Sequence, residues 1–202
     1  MRLVALSFNE KNTEMKTLRK AIRCSLWLLL SITLTGCYSY ISREARHRFQ
    51  ALEGPFSVTV YPVNVVKGTT VEHDEDLARK VMTFLRQENL AAPVLGSDDV
   101  KIPVQWSISQ PKMAQRSALA FASMVKETGI ETDYALLVEI LCNPSETWVG
   151  GVHFYLSDRR GNLANGGLTN SKWPEFQEVQ PHDRQGGYEV AIRMLRREWK
   201  RN

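Results

Sequence analysis

The segment YALLVEILC, residues 134–142, constrains the fold of this chain more than any other segment. Eight of its nine residues are apolar, and the apolar residues do not alternate with polar ones. Such a continuous run is typical of a strand at the centre of a sheet, where both faces are covered. Helices are the usual cover for a sheet of this kind. The segment therefore predicts a layered protein in which a central strand lies between helices.

Two further strands are predicted before the central strand. Residues 56–66 are rich in β-branched residues, and their alternation changes phase at Tyr61-Pro62, which predicts a bulge or a sheet edge at the proline. Residues 100–108 form the second β-like stretch. Because helical segments separate these strands, we expect parallel pairing in the sheet.

Two segments before the central strand have helical periodicity. In residues 74–90, apolar side chains recur on one face and acidic residues occupy the first turn, where the helix dipole favours them, and Ala92-Pro93 ends the helix. In the second segment, a stripe of mostly small residues predicts close packing against a sheet, and Gly129 supplies the C-terminal cap. The stripe consists of Ala114, Ala118, Phe121 and Val125.

The residues after the central strand predict a hairpin. Apolar residues alternate with His153 and Tyr155, which predicts a strand that is buried on one face only. The turn SDRRGN, residues 157–162, contains Gly161, which can adopt a positive φ angle. An antiparallel partner strand follows through residues 167–169.

A C-terminal helix is predicted from its apolar side, which consists of Tyr188, Ile192, Leu195 and Trp199. The combined order of elements is β-α-β-α-β-β-β-α. Helix-linked parallel strands followed by a hairpin predict an α/β (α+β) fold, a single mixed β-sheet with helices packed on it. We assign residues 55–202 to one domain.

The amino-terminal region has the order of charge and hydrophobicity of a secretory signal. A basic block that begins at Lys16 precedes an apolar run of about a dozen residues, which is shorter than the roughly 20 residues of a membrane-spanning helix. Residues 1–14 are polar and unlike the start of a signal. We therefore predict that translation begins at Met15 and that residues 1–36 are removed as a signal peptide.

The apolar run ends at a quartet that resembles the lipobox of bacterial lipoproteins. The quartet consists of Leu34, Thr35, Gly36 and Cys37. The resemblance implies that the first three residues are recognised by signal peptidase and that Cys37 becomes the lipidated amino terminus of the mature chain. Tyr38 at the next position permits export to the outer membrane, where residues 37–54 would tether the domain in the periplasm. An ordinary secretory signal cleaved after Gly36 is the alternative.

Removal of the signal peptide leaves a chain with balanced charge. The full chain has 26 basic and 22 acidic residues, and residues 1–36 contain six and two of them, so 20 of each remain. The balance excludes the basic character of a nucleic-acid-binding domain, and we predict no nucleic-acid partner. Because Cys24 is removed and Cys37 is modified, Cys142 has no disulfide partner and is expected to be a buried, inert thiol.

The mature chain also resembles the small α/β domain of the TolB amino terminus and of periplasmic lipoproteins such as LpoB and the curli secretion lipoprotein. The shared outline is a strand that ends in a proline, an entry to the central strand at Asp133-Tyr134, and a turn from Asp158 to Gly161. Members of this group dock other envelope proteins rather than catalyse reactions. The resemblance therefore implies a non-catalytic interaction module with an envelope protein as its partner.

Residues that could carry chemistry have simpler structural roles in the sequence pattern. The acidic residues 74–76 after His73 could be metal ligands, but their position at a helix start favours capping. His153, Ser157 and Asp158 have the residue types of a hydrolytic triad without the Gly-x-Ser-x-Gly elbow. We predict no catalytic residues, no metal site and no cofactor.

Aromatic and basic residues are the candidates for a partner interface. Trp148 and Trp173 flank turns, and the polar side of the last helix carries Arg193 and Arg197. Core packing of the tryptophans and simple solvation of the arginines are the alternatives. An enzyme acting on cell-wall material and a carrier of a small ligand or lipid are the alternative functions, with a polar cleft or an apolar cavity as their respective signs.

Overall fold

The predicted central strand is present as β5 (Tyr134–Cys142). The computed structural model describes four stretches of the chain, residues 41–52, 55–97, 104 and 109–199. Within these stretches β5 belongs to one mixed sheet of seven strands, with helices packed against the sheet. The predicted fold class is confirmed.

The structure contains more elements than the predicted order. The other strands are β1 (Phe56–Val60), β2 (Val63–Lys67), β3 (Thr70–Asp74), β4 (Ala91–Leu95), β6 (Val149–Asp158) and β7 (Leu163–Thr169). The helices are α1 (Arg43–Gln50), α2 (Glu75–Gln87), α3 (Gln110–Thr128), α4 (Pro174–Val179) and α5 (Arg184–Trp199). Strands β3 and β4 and the helices α1 and α4 are additions to the predicted order.

The bulge predicted at the proline divides the first strand in two. Strands β1 and β2 run one after the other along one edge of β5, and both are parallel to it. Val60 pairs with Leu136 and Asn64 pairs with Glu139, so three residues of the first strand face two residues of β5. Pro62 lies within this irregularity. Proline has no N–H, and at this position the ladder does not require one.

The prediction that Ala92-Pro93 ends a helix is wrong. Helix α2 ends at Gln87, and Ala92-Pro93 belongs to β4, which is parallel to β1 at the edge of the sheet. An edge strand tolerates proline because one side of the strand needs no N–H donor. The strand predicted at residues 100–108 lies outside the described residues, apart from Val104, which is buried.

Helices cover both faces of the sheet. One face packs against α1, α2, α4 and α5 through a large apolar cluster that includes Leu136 and Phe154. The other face packs against α3, whose predicted stripe of small and apolar residues is completely buried. Gly129 caps this helix with a φ angle of 71°. The predicted packing of this helix on a sheet is confirmed.

Two predictions about buried faces need correction. His153 and Tyr155 are fully buried, because α3 covers the face of β6 that the alternating pattern assigns to solvent. In α5, Leu195 and Trp199 are buried as predicted, but Tyr188 and Ile192 lie only at the margin of the core. The rest of the buried face consists of Gly187, Val190, Ala191 and Met194.

Helix α1 lies within residues 37–54, the segment that the sequence analysis assigns to the tether. The hydroxyl of Ser42 accepts a hydrogen bond from the backbone N–H of Ala45, which caps the helix. The Phe49 ring lies in the core, with its centroid 5.2 Å from that of Phe56 and 5.5 Å from that of Trp199. In the described part of the chain, no helix has the length and apolar character that a membrane crossing requires.

Candidate interaction surface

Trp173 is an exposed aromatic residue held in a defined position. It precedes α4, which begins at Pro174, a residue whose fixed φ angle suits the first position of a helix. Trp173 is 42% exposed. The guanidinium carbon of Arg197 lies 5.6 Å from the centroid of the indole ring, which is within the range of a cation–π contact.

Ion pairs join both interface arginines of α5 to α4. Arg197 pairs with Glu175 of α4 and, at 3.1 Å, with its neighbour Glu198. Arg193 pairs with Glu178 at 2.6 Å. The structure thus brings together three of the four residues that the sequence singles out for an interface, and we call Trp173, Arg193 and Arg197 the α4–α5 patch.

Trp148, the fourth residue, lies on a different element, the turn between β5 and β6. The Asn143 side-chain oxygen accepts hydrogen bonds from the N–H groups of Thr147 and Trp148, at 2.8 and 3.0 Å. Trp148 is 57% exposed. Its ring leans over Gly150, where an added Cβ would lie 2.9 Å from the ring. The turn therefore presents an indole in a fixed orientation.

A dense group of ion pairs lies beside the Trp148 turn. Arg184, the first residue of α5, donates to both oxygens of Glu146 at 2.6 Å and to both oxygens of Glu72 at 2.5 and 3.0 Å. It also donates to Asp74 at 2.8 Å. Lys67 pairs with Glu72 and Glu146 at 2.6 and 2.5 Å. These contacts join β2, β3, the β5–β6 turn and α5.

The ion pairs shift the pKa values of their members. Hydrogen bonds from Arg184 first, and from Lys67 second, lower the pKa of Glu72 and of Glu146 to about 2. The same contacts with Glu146 and Glu72 raise the pKa of Arg184. Glu72, Glu146 and Arg184 therefore keep their charges at neutral pH. Counted with Asp74 and Lys67, the group contains three acidic and two basic side chains.

A row of polar side chains is buried beneath α3. Adjacent strands place Asn64 opposite Glu139, and Glu139 opposite His153. The Tyr155 hydroxyl donates to Glu139 at 2.6 Å, and His153 Nδ1 lies 3.0 Å from that hydroxyl. His73 Nδ1 lies 2.9 Å from the side-chain oxygen of Asn64. Apart from His73, which is half-buried, each of these side chains is fully buried.

This polar row supplies hydrogen-bond donors to the side chain of Glu139, which is fully buried and not accessible to a substrate. Glu139 receives hydrogen bonds from Asn64 and Tyr155, which offset the cost of burying its charge. Nε2 of His153 has no hydrogen-bond partner among the described residues. Ser157 and Asp158 do not join His153, since the Ser157 hydroxyl donates to the backbone oxygens of Asp158 and Asn162.

The acidic residues at the start of α2 have capping and pairing roles. Asp74 accepts a hydrogen bond of 2.9 Å from the N–H of Leu77, which confirms the predicted cap. His73 does not join these residues, because it lies on β3 and its Nδ1 contacts the side chain of Asn64. In the described residues no group of three or more His, Cys, Asp or Glu residues could hold a metal ion. Cys142 is buried, and burial raises the pKa of its thiol to about 11, as expected for an inert cysteine.

The two residues that mark the predicted resemblance have clear structural roles. Asp133 accepts hydrogen bonds from the N–H and hydroxyl of Ser57, at 2.9 and 2.7 Å, and so fixes the start of β1 against β5. Asp158 accepts from the N–H groups of Arg160 and Asn162 and closes the β6–β7 turn. Gly161 in this turn has a φ angle of 77°, as predicted.

The sequence analysis missed both the buried row and the ion-pair group. Glu139 is the one charged residue of an otherwise apolar strand, and a charge in such a strand requires a buried partner. That signal could have drawn attention to the residues opposite it. The Arg184 group offered no comparable signal, because Arg184 lies 38 residues from Glu146 and 112 residues from Glu72.

No protein-family model matches the chain, and no curated protein matches it significantly. Among solved structures, the chain is similar to the C-terminal domain of LpoB from Salmonella enterica, with a TM-score of 0.37 and 10% sequence identity. The match covers 66% of this chain and 96% of the LpoB chain. The likeness to LpoB is therefore weak.

Proposed function

We propose that this chain is a lipid-anchored lipoprotein of the bacterial envelope and that its domain acts in the periplasm as a non-catalytic protein-interaction module. The quartet from Leu34 to Cys37 supports the anchor, and Tyr38 supports sorting to the outer membrane. The balanced charge of the mature chain supports a protein partner over a nucleic acid.

The observation that carries the interaction role is the geometry of the α4–α5 patch. A tryptophan and an arginine are the residue types that contribute most to binding in protein interfaces. In this patch Arg197 contacts the exposed Trp173 ring while Glu175 pairs with Arg197. Because both side chains are already ordered, binding a partner costs less conformational entropy than it would for freely rotating side chains.

Trp148 is a second candidate contact for the same kind of partner. Its turn is tied by Asn143, and the neighbouring Glu146 is fixed by Arg184. The rigid turn presents an aromatic ring next to a group with one excess negative charge. We propose that a partner contacting this turn offers an apolar pocket with a basic rim.

The interaction role is tested by cross-linking in intact cells that produce the full-length protein. We expect a stoichiometric envelope protein to be cross-linked to the unaltered chain and to be lost from the Trp173→Ala variant. Leu119→Ala is the matched control, since Leu119 is an exposed apolar residue on α3, outside the patch. The interaction role is contradicted if no stoichiometric partner is recovered. The role of the patch is contradicted if Trp173→Ala and Leu119→Ala recover the partner equally.

A further inference from the structure

The described chain begins very close to the proposed point of lipid attachment. Three residues separate Cys37 from Ile41, which is already buried in the domain. An extended chain spans at most about 3.6 Å per residue, so the four steps from Cys37 to Ile41 reach about 14 Å. If Cys37 carries the lipid, as the proposed function holds, the part of the domain around Ile41 must lie near the membrane surface.

Ile41 lies at one end of the sheet, and this end carries a groove. The groove has a volume of about 660 Å³ and lies between α1 and the β6–β7 turn. Ile41, Arg48 and Phe49 contribute from the α1 side, and Asp158 and Arg160 contribute from the turn. The start of β5 lies at this end, because Tyr134 pairs with Asp158.

Exposed arginines at this end suit the phosphate groups of lipids. Arg48 and Arg160 line the groove and are exposed, and the guanidinium group binds phosphate through two parallel hydrogen bonds. The carboxylate in the groove, Asp158, already accepts three hydrogen bonds from the β6–β7 turn. Other charged residues on the elements that meet at this end are Arg43, Glu44, Glu131, Asp133 and Arg159, and Lys126 of α3 lies against Gly161 of the turn. The attraction therefore comes from the local arginines and not from a large excess of positive charge.

We infer that the end of the domain formed by α1 and the β6–β7 turn faces the membrane, with Arg48 and Arg160 in contact with the phosphates of its phospholipids. Strand β5 then leads away from the membrane. Its nine residues rise by about 3.3 Å each. The turn that carries Trp148 therefore lies up to about 26 Å farther from the lipid than the β6–β7 turn does.

The orientation is tested with the mature lipoprotein in vesicles. The vesicles contain phosphatidylethanolamine and phosphatidylglycerol in a three-to-one ratio, with some lipids that carry a nitroxide quencher on the headgroup. A fluorescent dye is attached to an introduced cysteine, either Arg159→Cys in the β6–β7 turn or Thr69→Cys in the β2–β3 turn at the other end of β5. Cys142 is buried and does not compete for the dye.

We expect quenching of the dye at position 159 and no quenching at position 69. Reversing the charges with Arg48→Glu and Arg160→Glu should lower the quenching at position 159 without bringing it to the level at position 69, because the lipid on Cys37 still holds this end near the membrane. Lys112→Glu, which changes the charge of an exposed residue near the opposite end of the sheet, should leave it unchanged. Equal quenching at the two dye positions overturns the orientation. Unchanged quenching after both charge reversals overturns the phosphate contacts.

The same sample separates this inference from the proposed function. Its intact mass shows whether Cys37 carries lipid. A lipidated, vesicle-bound protein with equal quenching at both positions leaves the anchor standing and overturns the orientation. A protein without lipid on Cys37 overturns the anchor itself, and the orientation that rests on it.

Discussion

Tyr155 donates a hydrogen bond of 2.6 Å to Glu139 across the β5–β6 pair, and both side chains are completely buried. Glu139 faces His153 directly in the strand register, so the tyrosine reaches it from the diagonal position. A carboxylate in a sheet interior is stable only when donors replace its lost water. The bond therefore explains how an acidic residue is accommodated in the central strand.

Tyr155→Phe should lower the free energy of unfolding by about 2 kcal/mol, because it removes a donor from a buried carboxylate and leaves the ring in place. Urea unfolding of the mature protein in detergent measures the change. Tyr188→Phe is the matched control, since its hydroxyl makes one exposed hydrogen bond of 3.4 Å and its loss should change stability by less than about 0.5 kcal/mol. Equal losses for the two variants would contradict the proposed importance of the buried bond.

The Arg184 group should make stability depend on pH in the acid range. The pKa of Glu72 and of Glu146 is about 2 in the folded protein, against 4.5 as the ordinary value. The folded state therefore binds fewer protons than the unfolded state between these values. The stabilisation is complete above about pH 4.5 and is lost as the pH falls towards 2.

Arg184→Met should lower the free energy of unfolding by about 2 kcal/mol at pH 6 and by much less near pH 3. Unfolding curves at the two pH values measure the difference. Arg193→Met, which removes an exposed ion pair with Glu178, serves as the control and should cost less than about 1 kcal/mol at either pH. A loss for Arg184→Met that is as large at pH 3 as at pH 6 would rule out the charge-based explanation.

Helix α1 should contribute to the stability of the domain. Phe49→Ala should lower the free energy of unfolding by about 3 kcal/mol, because the ring packs edge-on against Phe56, Tyr134 and Trp199. Arg48→Ala, at the exposed neighbouring position, should change it by less than about 0.5 kcal/mol. If Phe49→Ala were as stable as the unaltered protein, residues 43–50 would behave as a tether and not as part of the domain.

Gly161 should tolerate no side chain. Its φ angle is 77°, and an added Cβ would lie 2.6 Å from the backbone oxygen of Ala122. Gly161→Ala should therefore lower the free energy of unfolding by about 2 kcal/mol. Arg160→Ala in the same turn should have little effect on stability, because its described hydrogen bond comes from its backbone N–H. A thermal unfolding temperature that does not change in Gly161→Ala would contradict the strain.

The sequence predicts best those features that depend on a residue's own backbone. Pro62 marks the bulge and Gly129 ends α3, because proline lacks an N–H and glycine accepts a positive φ angle wherever the fold requires one. Pro93 shows the limit of this reasoning. Proline is compatible with both a helix end and an edge strand, and only the neighbouring strand β1 decides between them.

Features that depend on distant packing could not be predicted in this way. The burial of His153 requires α3, which lies more than 20 residues before it in the chain. The fixed position of Trp173 requires Arg197, which belongs to a different helix. Local periodicity reports which residues share a face, but it does not report which element covers that face.

The identity of the group on Cys37 tests the account most directly. We predict that the intact mass of the mature protein corresponds to a chain that begins at Cys37 and carries a diacylglyceryl thioether and an acylated amine, and that the Cys37→Ala variant leaves the membrane fraction. An unmodified Cys37 in the native product, or a Cys37→Ala variant that stays bound to the membrane as firmly as the unaltered protein, would contradict the account.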